Sequence, residues 1–421
     1  MGGSGRRRAS VMKPCAVRQM PFIAAFLPSE PAVEGRPDMR IGINTFALSS
    51  RLGMAGSGRY IRELVHALAR LDHGHELILF ANRDNWDLLP ASGCERVDCG
   101  RLTINRPTRL AWEHAVLPLT ARRYRLDVLH SPVFVAPAWL PCASVVSILD
   151  MTWFLMPEMH TRVKGAYFRV MIPPSVRRAA RVIAISHATK SDIVRMLDIP
   201  DPKVVVTHLG VNLTVFQPNR ANGYEQILEE RYGVRRPYVL YVGKIEPRKN
   251  PVTLIEAFDR ISDKFPDHHL VLAGNRGWDY EAVYTAAAAA RHREWIRFTG
   301  FVSEADLPAL YAGADLFVYP SSYEGFGFPV LEAMACGAPV ITSNVSSLPE
   351  VAGDAALLVN PLDVGELAAA MERILSDPTL REVLRVRGLE QARRFTWEET
   401  ARRTLQVYEE AYILQHGGAL S

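Results

Sequence analysis

The chain has 421 residues, of which 48% are hydrophobic and 22% are charged, and its formal net charge is +4. This length suggests two or three domains, and the composition is that of an ordinary globular protein. No segment approaches the roughly 20 apolar residues of a transmembrane helix. The five cysteines have neither the spacing of a disulfide framework nor that of a zinc site. We therefore expect reduced thiols in a cytoplasmic protein.

The N-terminal segment, residues 1–38, is predicted to be a disordered extension. Its apolar run, Phe22–Leu27, is bracketed by prolines and is shorter than the roughly 7–15 residues of a signal-peptide core. The first domain is therefore expected to begin at Met39.

Residues 39–213 alternate short runs of β-branched residues with amphipathic stretches. The runs show no alternation of apolar and polar residues, which is typical of parallel strands covered on both faces. Helical patterns such as Tyr60–Leu71 lie between them, and Ser186 is a candidate N-cap for another. Strands that alternate with helices predict a doubly wound sheet. The predicted strands are Ile41–Thr45, Leu77–Phe80, Asp127–His130, Val145–Leu149, Val182–Ile185 and Val204–Val206.

The pattern restarts at Tyr238, and residues 214–395 are predicted to form a second domain of the same kind. Its helices carry start signals, because Asp377 precedes Pro378 and Thr396 opens a final helix in residues 396–421. Two doubly wound domains leave a cleft between them, and such sheets bind ligands at the carboxyl ends of their strands. The predicted strands are Tyr238–Val242, Leu270–Ala273, Ile296–Thr299, Leu316–Tyr319, Pro339–Thr342 and Ala356–Val359.

Charge is distributed unevenly between the two halves. Lys and Arg outnumber Asp and Glu by 22 to 14 in residues 39–213, whereas residues 214–421 contain 21 basic and 28 acidic residues. A basic first domain suggests an anionic partner, such as a lipid surface or a phosphate-bearing acceptor. Solvated charge without a partner explains the asymmetry equally well.

The segment Tyr319–Glu332 reads YPSSYEGFGFPVLE and links a predicted strand to a helix. Gly325 and Gly327 let the backbone approach a ligand closely, and the free N–H groups of the helix start favour a phosphate. Glu324 in the loop and Glu332 about two helical turns later place a carboxylate near each end of an extended ligand. A tight turn without a function would have the same pattern.

A second cluster, residues 243–250, reads GKIEPRKN directly after a predicted strand. Arg248 and Lys249 stand where the next helix begins, although cations oppose the helix dipole there. Such a local conflict is typical of a functional site, and the pair suits a diphosphate. Both side chains are expected to be exposed in the cleft. The alternative is a solvated basic turn.

Three residues of the first domain are candidates for the cleft. Gly58 lies in the GSGRY segment between the first strand and its helix, and His130 and Asp150 each close a predicted strand. For His130 alone, a structural role is the favoured interpretation. The chain lacks the third glycine of a dinucleotide fingerprint, a D-x-D pair, a G-x-S-x-G elbow and a Walker loop. Neither a metal nor a cofactor is expected.

The longer motifs resemble those of the GT4 glycosyltransferases, whose second domain is the group-1 glycosyltransferase domain. The resemblance covers about residues 39–415 and rests on YVGKIEPRKN at 241–250, on residues 298–344, and on LPEVAGDAALLVNP at 348–361. It implies a GT-B fold, in which two Rossmann-like domains face each other across a cleft. Within the family, the chain looks most similar to bacterial mannosyltransferases of cell-surface polysaccharide synthesis.

The resemblance also implies roles for residues of the second domain. Arg248 and Lys249 would hold the donor diphosphate and stabilise the leaving nucleotide, work that a metal does elsewhere. Glu324 would contact the donor sugar and Glu332 the ribose hydroxyls. Phe326 and Gly327 lie between the two glutamates and belong to the donor-binding residues. Their backbone amides would reach the sugar and the phosphate.

In the first domain, the resemblance implies that Gly58 lets the backbone approach the donor phosphates. His130 and Asp150 would lie on the acceptor side, and Asp150 is a catalytic candidate as well. Many relatives carry His-Asp where this chain has Leu149-Asp150, and leucine cannot donate the hydrogen bond that this histidine makes to the donor sugar. The last helix, after Trp397, would cross back onto the first domain.

The implied activity is that of a retaining, metal-independent glycosyltransferase in the cytoplasm, at the inner face of the membrane. Its substrates would be a GDP- or UDP-linked sugar, with GDP-mannose favoured, and a glycan or lipid-linked acceptor. A peripheral contact with an anionic membrane is expected, and nucleic acid is not. The alternative is a non-catalytic GT-B module that binds a nucleotide sugar, which Leu149 favours. A nucleotide-sugar epimerase ranks lower, because such enzymes lack the PRKN loop and the paired glutamates.

Overall fold

The computed structural model describes residues 17–19, 39–49, 56–218 and 223–417. The predicted extension, residues 1–38, lies outside the described residues except for Val17–Gln19, which is a strand at the edge of the first sheet. Within the described ranges, no helix is both long and apolar enough to cross a bilayer.

The first domain contains an eight-stranded parallel sheet. In chain order its strands are β1 Val17–Gln19, β2 Arg40–Asn44, β3 Glu76–Ala81, β4 Glu95–Asp98, β5 Val128–Ser131, β6 Ala143–Ile148, β7 Arg181–Ala184 and β8 Val204–Val206. Their spatial order is β1-β4-β3-β2-β5-β6-β7-β8, and every pairing is parallel. The order reverses at β2, as in doubly wound sheets that bind ligands where two neighbouring strands lead away in opposite directions.

Helices cover both faces of this sheet and connect its strands. They are α1 Gly56–Leu68, α2 Arg106–Ala115, α3 Leu117–Arg123, α4 Thr152–Leu155, α5 Arg162–Arg178 and α6 His187–Leu197. Helix α1 begins four residues before the predicted Tyr60, so the GSGRY segment is its first turn rather than a loop. The side chain of Ser186 accepts a hydrogen bond from the Thr189 N–H at 3.0 Å, which confirms the predicted cap of α6.

The second domain contains a six-stranded parallel sheet. Its strands are β9 Tyr238–Val242, β10 His269–Ala273, β11 Ile296–Gly300, β12 Leu316–Tyr319, β13 Val340–Ser343 and β14 Ala356–Val359, in the spatial order β11-β10-β9-β12-β13-β14. Its helices are α7 Tyr224–Tyr232, α8 Pro251–Ile261, α9 Glu281–Ala289, α10 Leu307–Ala312, α11 Phe328–Ala335, α12 Leu348–Ala352, α13 Val364–Ser376 and α14 Pro378–Ala392. Asp377 caps α14 through hydrogen bonds from two backbone N–H groups, as predicted.

The last helix, α15 Trp397–Gln415, packs against the first domain. Tyr408, which is fully buried, lies 2.7 Å from the ring of His130 at the end of β5. Near the outer end of the helix, Arg181 Nε donates to Glu410 Oε2 at 2.7 Å. Thr400 Oγ1 also donates to the carbonyl of His208, so the helix is tied to the first sheet along much of its length.

The predicted fold class, two doubly wound Rossmann-like sheets, is confirmed. All twelve predicted strands are present, with ends shifted by at most two residues. The sequence pattern missed β4, because its residues ERVD contain one apolar side chain, Val97, and only this one is buried. A short strand near a sheet edge needs little apolar surface, so it leaves little trace in the sequence.

Candidate functional site

Glu324 lies at the centre of a charged cluster, in the loop that follows β12. Its Oε1 accepts hydrogen bonds from Tyr319 at 2.8 Å and from Ser321 at 2.9 Å. The same oxygen is 2.9 Å from Arg248 Nη1 and 3.9 Å from Lys249 Nζ. One carboxylate therefore faces two cations at the carboxyl edge of the second sheet, where such sheets bind ligands.

The two cations are held by a short 3₁₀ turn, Pro247–Lys249, directly before α8. Asn250 ends this turn in the left-handed region, at φ 50°. Its Nδ2 donates to the carbonyl of Pro320 at 2.8 Å and to Ser322 Oγ at 2.7 Å. The loop after β9 is thereby fastened to the loop after β12, which brings together residues that are about seventy positions apart in the chain.

The sequence led us to expect exposed side chains for Arg248 and Lys249, and this expectation is wrong. Each side chain is only 12% exposed. Arg248 also pairs with Glu246 at 2.8 Å and donates to the carbonyl of Tyr323, while Lys249 Nζ donates to Tyr319 at 2.9 Å. These side chains are counter-ions of the buried carboxylates of Glu246 and Glu324, which explains why both fold inwards.

The charges of the cluster shift one another's pKa values. Burial alone would raise the pKa of Glu324, but Arg248 and Lys249 outweigh it and lower that pKa. Burial lowers the pKa of Lys249, and Glu324 opposes this effect. The pKa of Arg248 is raised, because Glu324 and its other anionic neighbours outweigh desolvation. A permanently charged guanidinium beside an ammonium suits the binding of a diphosphate.

Glu332 lies in α11 and forms a buried ion pair that is separate from the cluster around Glu324. Its side chain is 3% exposed, its Oε2 accepts from Tyr311 at 2.9 Å, and its Oε1 pairs with Arg59 of the first domain. The Arg59 guanidinium also lies over the rings of Phe216 and Phe328, at 5.1 and 5.0 Å. Burial raises the pKa of Glu332, although Arg59 opposes it. The second carboxylate is thus engaged by the opposite domain.

Sequence reasoning missed Arg59. A signal was available, because Arg59 stands in the first turn of α1, where a cation opposes the helix dipole. This is the conflict that had marked Arg248 and Lys249. Instead, the sequence pattern indicates Gly58 as the candidate of this segment.

Gly58 itself lies inside the first turn of α1, so its predicted place in a loop is wrong. A Cβ atom at this position would meet Leu48 at 3.7 Å, which is an ordinary contact. The described neighbours therefore do not require glycine here. The proposed approach to the donor phosphates stays a prediction.

The two domains meet at Gly325. A Cβ atom there would collide with the carbonyl of Leu149 and would lie 3.2 Å from the Cβ of Asp150. Asp150 Oδ1 accepts from the N–H of Thr152 at 2.9 Å and from its hydroxyl at 2.6 Å. The carboxyl ends of β6 and β12 thus face each other, and Asp150 lies beside the loop that carries Glu324.

The glycine-rich turn before α11 has a backbone that only glycine tolerates well. Gly327 has φ 120°, and a Cβ atom there would lie 2.8 Å from Leu348. Phe326 is 2% exposed, and its carbonyl accepts from Ser347 Oγ at 2.7 Å. Serines of the next loop hold this turn, so the peptide groups of residues 325–327 are fixed in place beside Glu324.

His130 does not lie on the acceptor side, so that prediction is wrong. It is fully buried under α15, where Nδ1 lies 2.7 Å from Tyr408 and Nε2 lies 2.7 Å from Ser147. Burial lowers its pKa to about 3. Side chains alternate between the faces of a strand, and His130 points to the face that α15 covers. It is a structural residue.

A further contact between the domains joins Glu350 of α12 to the start of α6. The Glu350 carboxylate accepts the N–H of His187 at 2.9 and 3.0 Å and pairs with the ring of His208. Their three potential ligand atoms lie within 4.8 Å of one another, so the group could hold a metal ion. None of these three residues belongs to the cluster around Glu324.

The Glu350 contact gives a pH-dependent stability. Burial alone would raise the pKa of Glu350, but hydrogen bonds from His208 and His187 outweigh it and lower that pKa. A carboxyl group whose pKa is lowered by folding contributes its full stabilisation above its unfolded pKa of about 4.3. This stabilisation is lost as the pH falls through the pKa of the folded state.

Glu350→Gln should therefore be less stable than the wild type at pH 7, and this difference in thermal stability should shrink toward pH 3. The exposed control Glu294→Gln should show little change, and a pH-independent deficit in Glu350→Gln would contradict this assignment.

Comparison with known proteins identifies the family. Residues 227–391 match the family model of group 1 glycosyl transferases, and residues 54–215 match that of Glycosyltransferase Family 4. O-antigen chain mannosyltransferase B of Escherichia coli is 34% identical over 85% of this chain and 96% of its own. D-inositol 3-phosphate glycosyltransferase of Kribbella flavida is 30% identical over 91% of this chain and 98% of its own.

Solved structures show the same fold. Sucrose-phosphate synthase from Thermosynechococcus elongatus superposes with a TM-score of 0.71 at 22% identity, over 89% of this chain and all of the other. Anabaena HepE in complex with UDP and glucose superposes with a TM-score of 0.69 at 20% identity, over 88% of this chain and 99% of the other. The two matching family models, the relative that is similar over nearly its whole length and the shared fold lead to one conclusion: the chain belongs to the GT4 family of glycosyltransferases, with the GT-B fold.

Proposed function

We propose that this glycosyltransferase moves mannose from GDP-mannose to a glycan or lipid-linked acceptor in cell-surface polysaccharide synthesis. The observation that carries the proposal is the cluster of Arg248, Lys249 and Glu324 at the carboxyl edge of the second sheet. Mannose is chosen because the Escherichia coli relative named above is a mannosyltransferase of an O-antigen chain.

In the proposed reaction, Arg248 and Lys249 bind the donor diphosphate and stabilise the charge that develops on it as the bond to the sugar breaks. Preorganised cations in a site with little water supply this stabilisation without a metal or a cofactor. The incoming diphosphate replaces part of their pairing with Glu324. The freed carboxylate then accepts hydrogen bonds from the hydroxyls of the donor sugar.

We propose that transfer retains the anomeric configuration. The acceptor hydroxyl attacks the face from which the diphosphate departs, and its proton passes to the leaving phosphate oxygen. This step needs no protein nucleophile. Asp150 lies across the cleft, beside Gly325, and is proposed to orient the acceptor hydroxyl. Glu332 would serve the ribose hydroxyls only if Arg59 or Tyr311 releases one of its oxygens, since Oε1 pairs with Arg59 and Oε2 accepts from Tyr311.

Donor choice and metal independence are tested together by nucleotide release from a panel of GDP- and UDP-linked sugars in the presence of EDTA. We expect release from GDP-mannose, at a rate that added Mg²⁺ changes little, because the cations of the site are side chains. Activity that appears only with Mg²⁺ would contradict metal independence. Release from a UDP-linked sugar alone would replace the proposed donor.

Leu149 favours a second candidate function, that of a non-catalytic module that binds a nucleotide sugar. Leu149 is 8% exposed and packs beside Gly325, where many relatives place a hydrogen-bonding histidine. Tight binding of GDP without turnover of any donor, with a mannose-terminated acceptor present, would favour the module. Leu149→His would then be expected to gain turnover.

We further propose that the first domain contacts an anionic membrane at its cytoplasmic face. Helix α5 exposes Val163 at 82% and Val170 at 68%, and the neighbouring basic residues are Arg162, Lys164 and Arg169. Exposed apolar side chains among basic ones bind the interface of anionic bilayers. Such a surface suits an acceptor that is attached to a lipid.

Vesicle sedimentation tests this contact. The chain should bind vesicles that contain phosphatidylglycerol, and binding should weaken with salt because the attraction is electrostatic. Val163→Asp with Val170→Asp should reduce binding several-fold. The matched control is Leu358→Asp with Leu362→Asp, two exposed leucines of the second domain, which should leave binding unchanged. Equal binding to neutral vesicles would count against the proposal.

A further inference from the structure

A pocket in the first domain lies apart from the charged cluster around Glu324. It opens where β2 and β5 end, and α2 and α5 form its walls. Its polar lining consists of side chains to which the preceding sections give no role: Asn44, Arg106, Arg109, Glu113, Ser131 and Tyr167. The pocket lies at the point where the strand order of the first sheet reverses, the usual ligand site of a doubly wound sheet.

Several polar atoms around this pocket lack a hydrogen bond. Ser131 is fully buried, yet its Oγ finds no partner among the described residues. The same holds for the hydroxyl of Tyr167 and for Nε of Arg109. A buried polar group without a partner is costly, and folded proteins contain few of them. Their concentration around one pocket indicates a polar ligand.

The charges indicate what kind of ligand it is. Glu113 Oε1 accepts from Asn44 at 3.2 Å and lies 3.8 Å from Arg109 Nε. Arg106 lies over the ring of Phe168 at 5.5 Å, and burial together with the nearby Arg109 lowers its pKa. Two guanidinium groups face a single carboxylate, so the pocket has one positive charge in excess. An anionic ligand would offset it, and guanidinium groups match the geometry of phosphate.

The position of the pocket places it on the acceptor side. Strands β2, β5 and β6 are neighbours in the sheet, and Leu149 and Asp150 follow β6. Adjacent strands are about 4.8 Å apart, and β5, which carries Ser131 into the pocket, is the direct neighbour of β6. Helix α5, which carries Tyr167 into the pocket wall, also carries the exposed Val163 and Val170. The pocket is therefore close both to the cleft and to the proposed membrane contact.

We propose that this pocket binds a phosphate group of the acceptor through Arg106 and Arg109, while Asn44, Glu113 and Ser131 hydrogen-bond the sugar that carries it. The inference rests on the proposed function, because it names the class of acceptor that the same cleft uses. A phosphate of a lipid carrier and that of a free sugar phosphate share this chemistry.

The test is isothermal titration calorimetry, which measures the affinity of the full chain for mannose 1-phosphate and for methyl α-mannoside. Saturating GDP first fills the donor site, so that only a second site is measured. Wild type should bind mannose 1-phosphate more tightly than the neutral sugar. Arg106→Gln with Arg109→Gln should weaken binding of mannose 1-phosphate about tenfold or more, since hydrogen bonds to charged groups are among the strong ones. It should weaken binding of methyl α-mannoside far less, because this neutral sugar has no phosphate for the two arginines to bind.

Arg109 also donates to the carbonyl of Phe46, so the double variant needs a check on folding. Arg106→Gln alone, with an unchanged melting temperature, should still weaken phosphate binding. The matched control is Arg122→Gln with Arg123→Gln, two exposed arginines of α3. A variant of Arg106 that binds mannose 1-phosphate like wild type would overturn the proposal.

The outcomes separate this inference from the proposed function. A chain that turns over GDP-mannose but shows no second phosphate site retains the function and loses the inference. A chain that turns over no donor, but whose phosphate binding depends on Arg106, loses the function and retains the pocket. A mannosyl diphosphate with a short prenyl chain identifies the source: tighter binding than mannose 1-phosphate supports a lipid carrier, and equal binding supports a free sugar phosphate.

Discussion

Replacing Arg248 and Lys249 together by alanine is expected to lower donor turnover by about a thousandfold or more. Groups that stabilise a developing negative charge each contribute on the order of a hundredfold to a thousandfold. The decrease should appear in kcat as well as in kcat/KM, because the charge on the leaving diphosphate develops in the transition state.

The same variant should also be less stable. Both side chains are 12% exposed, and their removal leaves the buried carboxylates of Glu324 and Glu246 without counter-ions. Breaking a buried ion pair in this way typically costs about 3 to 5 kcal/mol. Melting temperatures are therefore needed beside the kinetics, and turnover should be compared at a temperature where the variant is folded.

The control is Lys244→Ala, an exposed cation of the same loop, which should change neither property. Turnover that survives in a folded double variant would exclude Arg248 and Lys249 from binding the diphosphate. Equal losses in Lys244→Ala would point to a general effect of charge on the loop.

The second large effect is expected for Arg59. Arg59→Met removes the partner of Glu332, whose side chain is 3% exposed, and should lower the free energy of unfolding by about 3 to 5 kcal/mol. Glu332→Gln in the same chain removes the unpaired charge and should restore part of the loss. Urea denaturation of the wild type, both single variants and the double variant forms a double-mutant cycle that isolates the pair.

This cycle also tests whether the two domains are coupled in the ligand-free state. Arg59 belongs to α1 of the first domain and Glu332 to α11 of the second. The matched control is Arg62→Met, whose contact with Glu304 across the same boundary is longer, at 3.4 Å, and more exposed. Single-variant losses that simply add in the double variant would show that the pair contributes no coupling.

The fold was accessible from the sequence because parallel strands buried on both faces leave short β-branched runs. Tyr238–Val242 and Val204–Val206 were predicted with their observed limits. Caps were equally clear, since the side chains of Ser186 and Asp377 accept hydrogen bonds from nearby backbone N–H groups, and such local contacts need no tertiary information. β4 was missed because a near-edge strand of mixed charge has no such pattern.

The site was less accessible, since its geometry depends on partners far away in the chain. The sequence suggested that Arg248 and Lys249 matter, but their burial depends on Tyr319 and Glu324, about seventy residues later. His130 ends a strand, yet only the position of α15 decides that it is buried. Arg59 and Glu332 are 273 positions apart, and no local pattern relates them.

The central claim, retaining transfer of mannose by a site without metal, is tested most directly by following anomeric protons with NMR. The reaction contains the wild-type chain, GDP-mannose, EDTA and a mannose-terminated acceptor. We predict that the α-linked donor signal disappears as GDP is released and that a new α-linked mannose signal replaces it. A β-linked product would contradict retention, and a donor signal that stays unchanged would contradict catalysis itself.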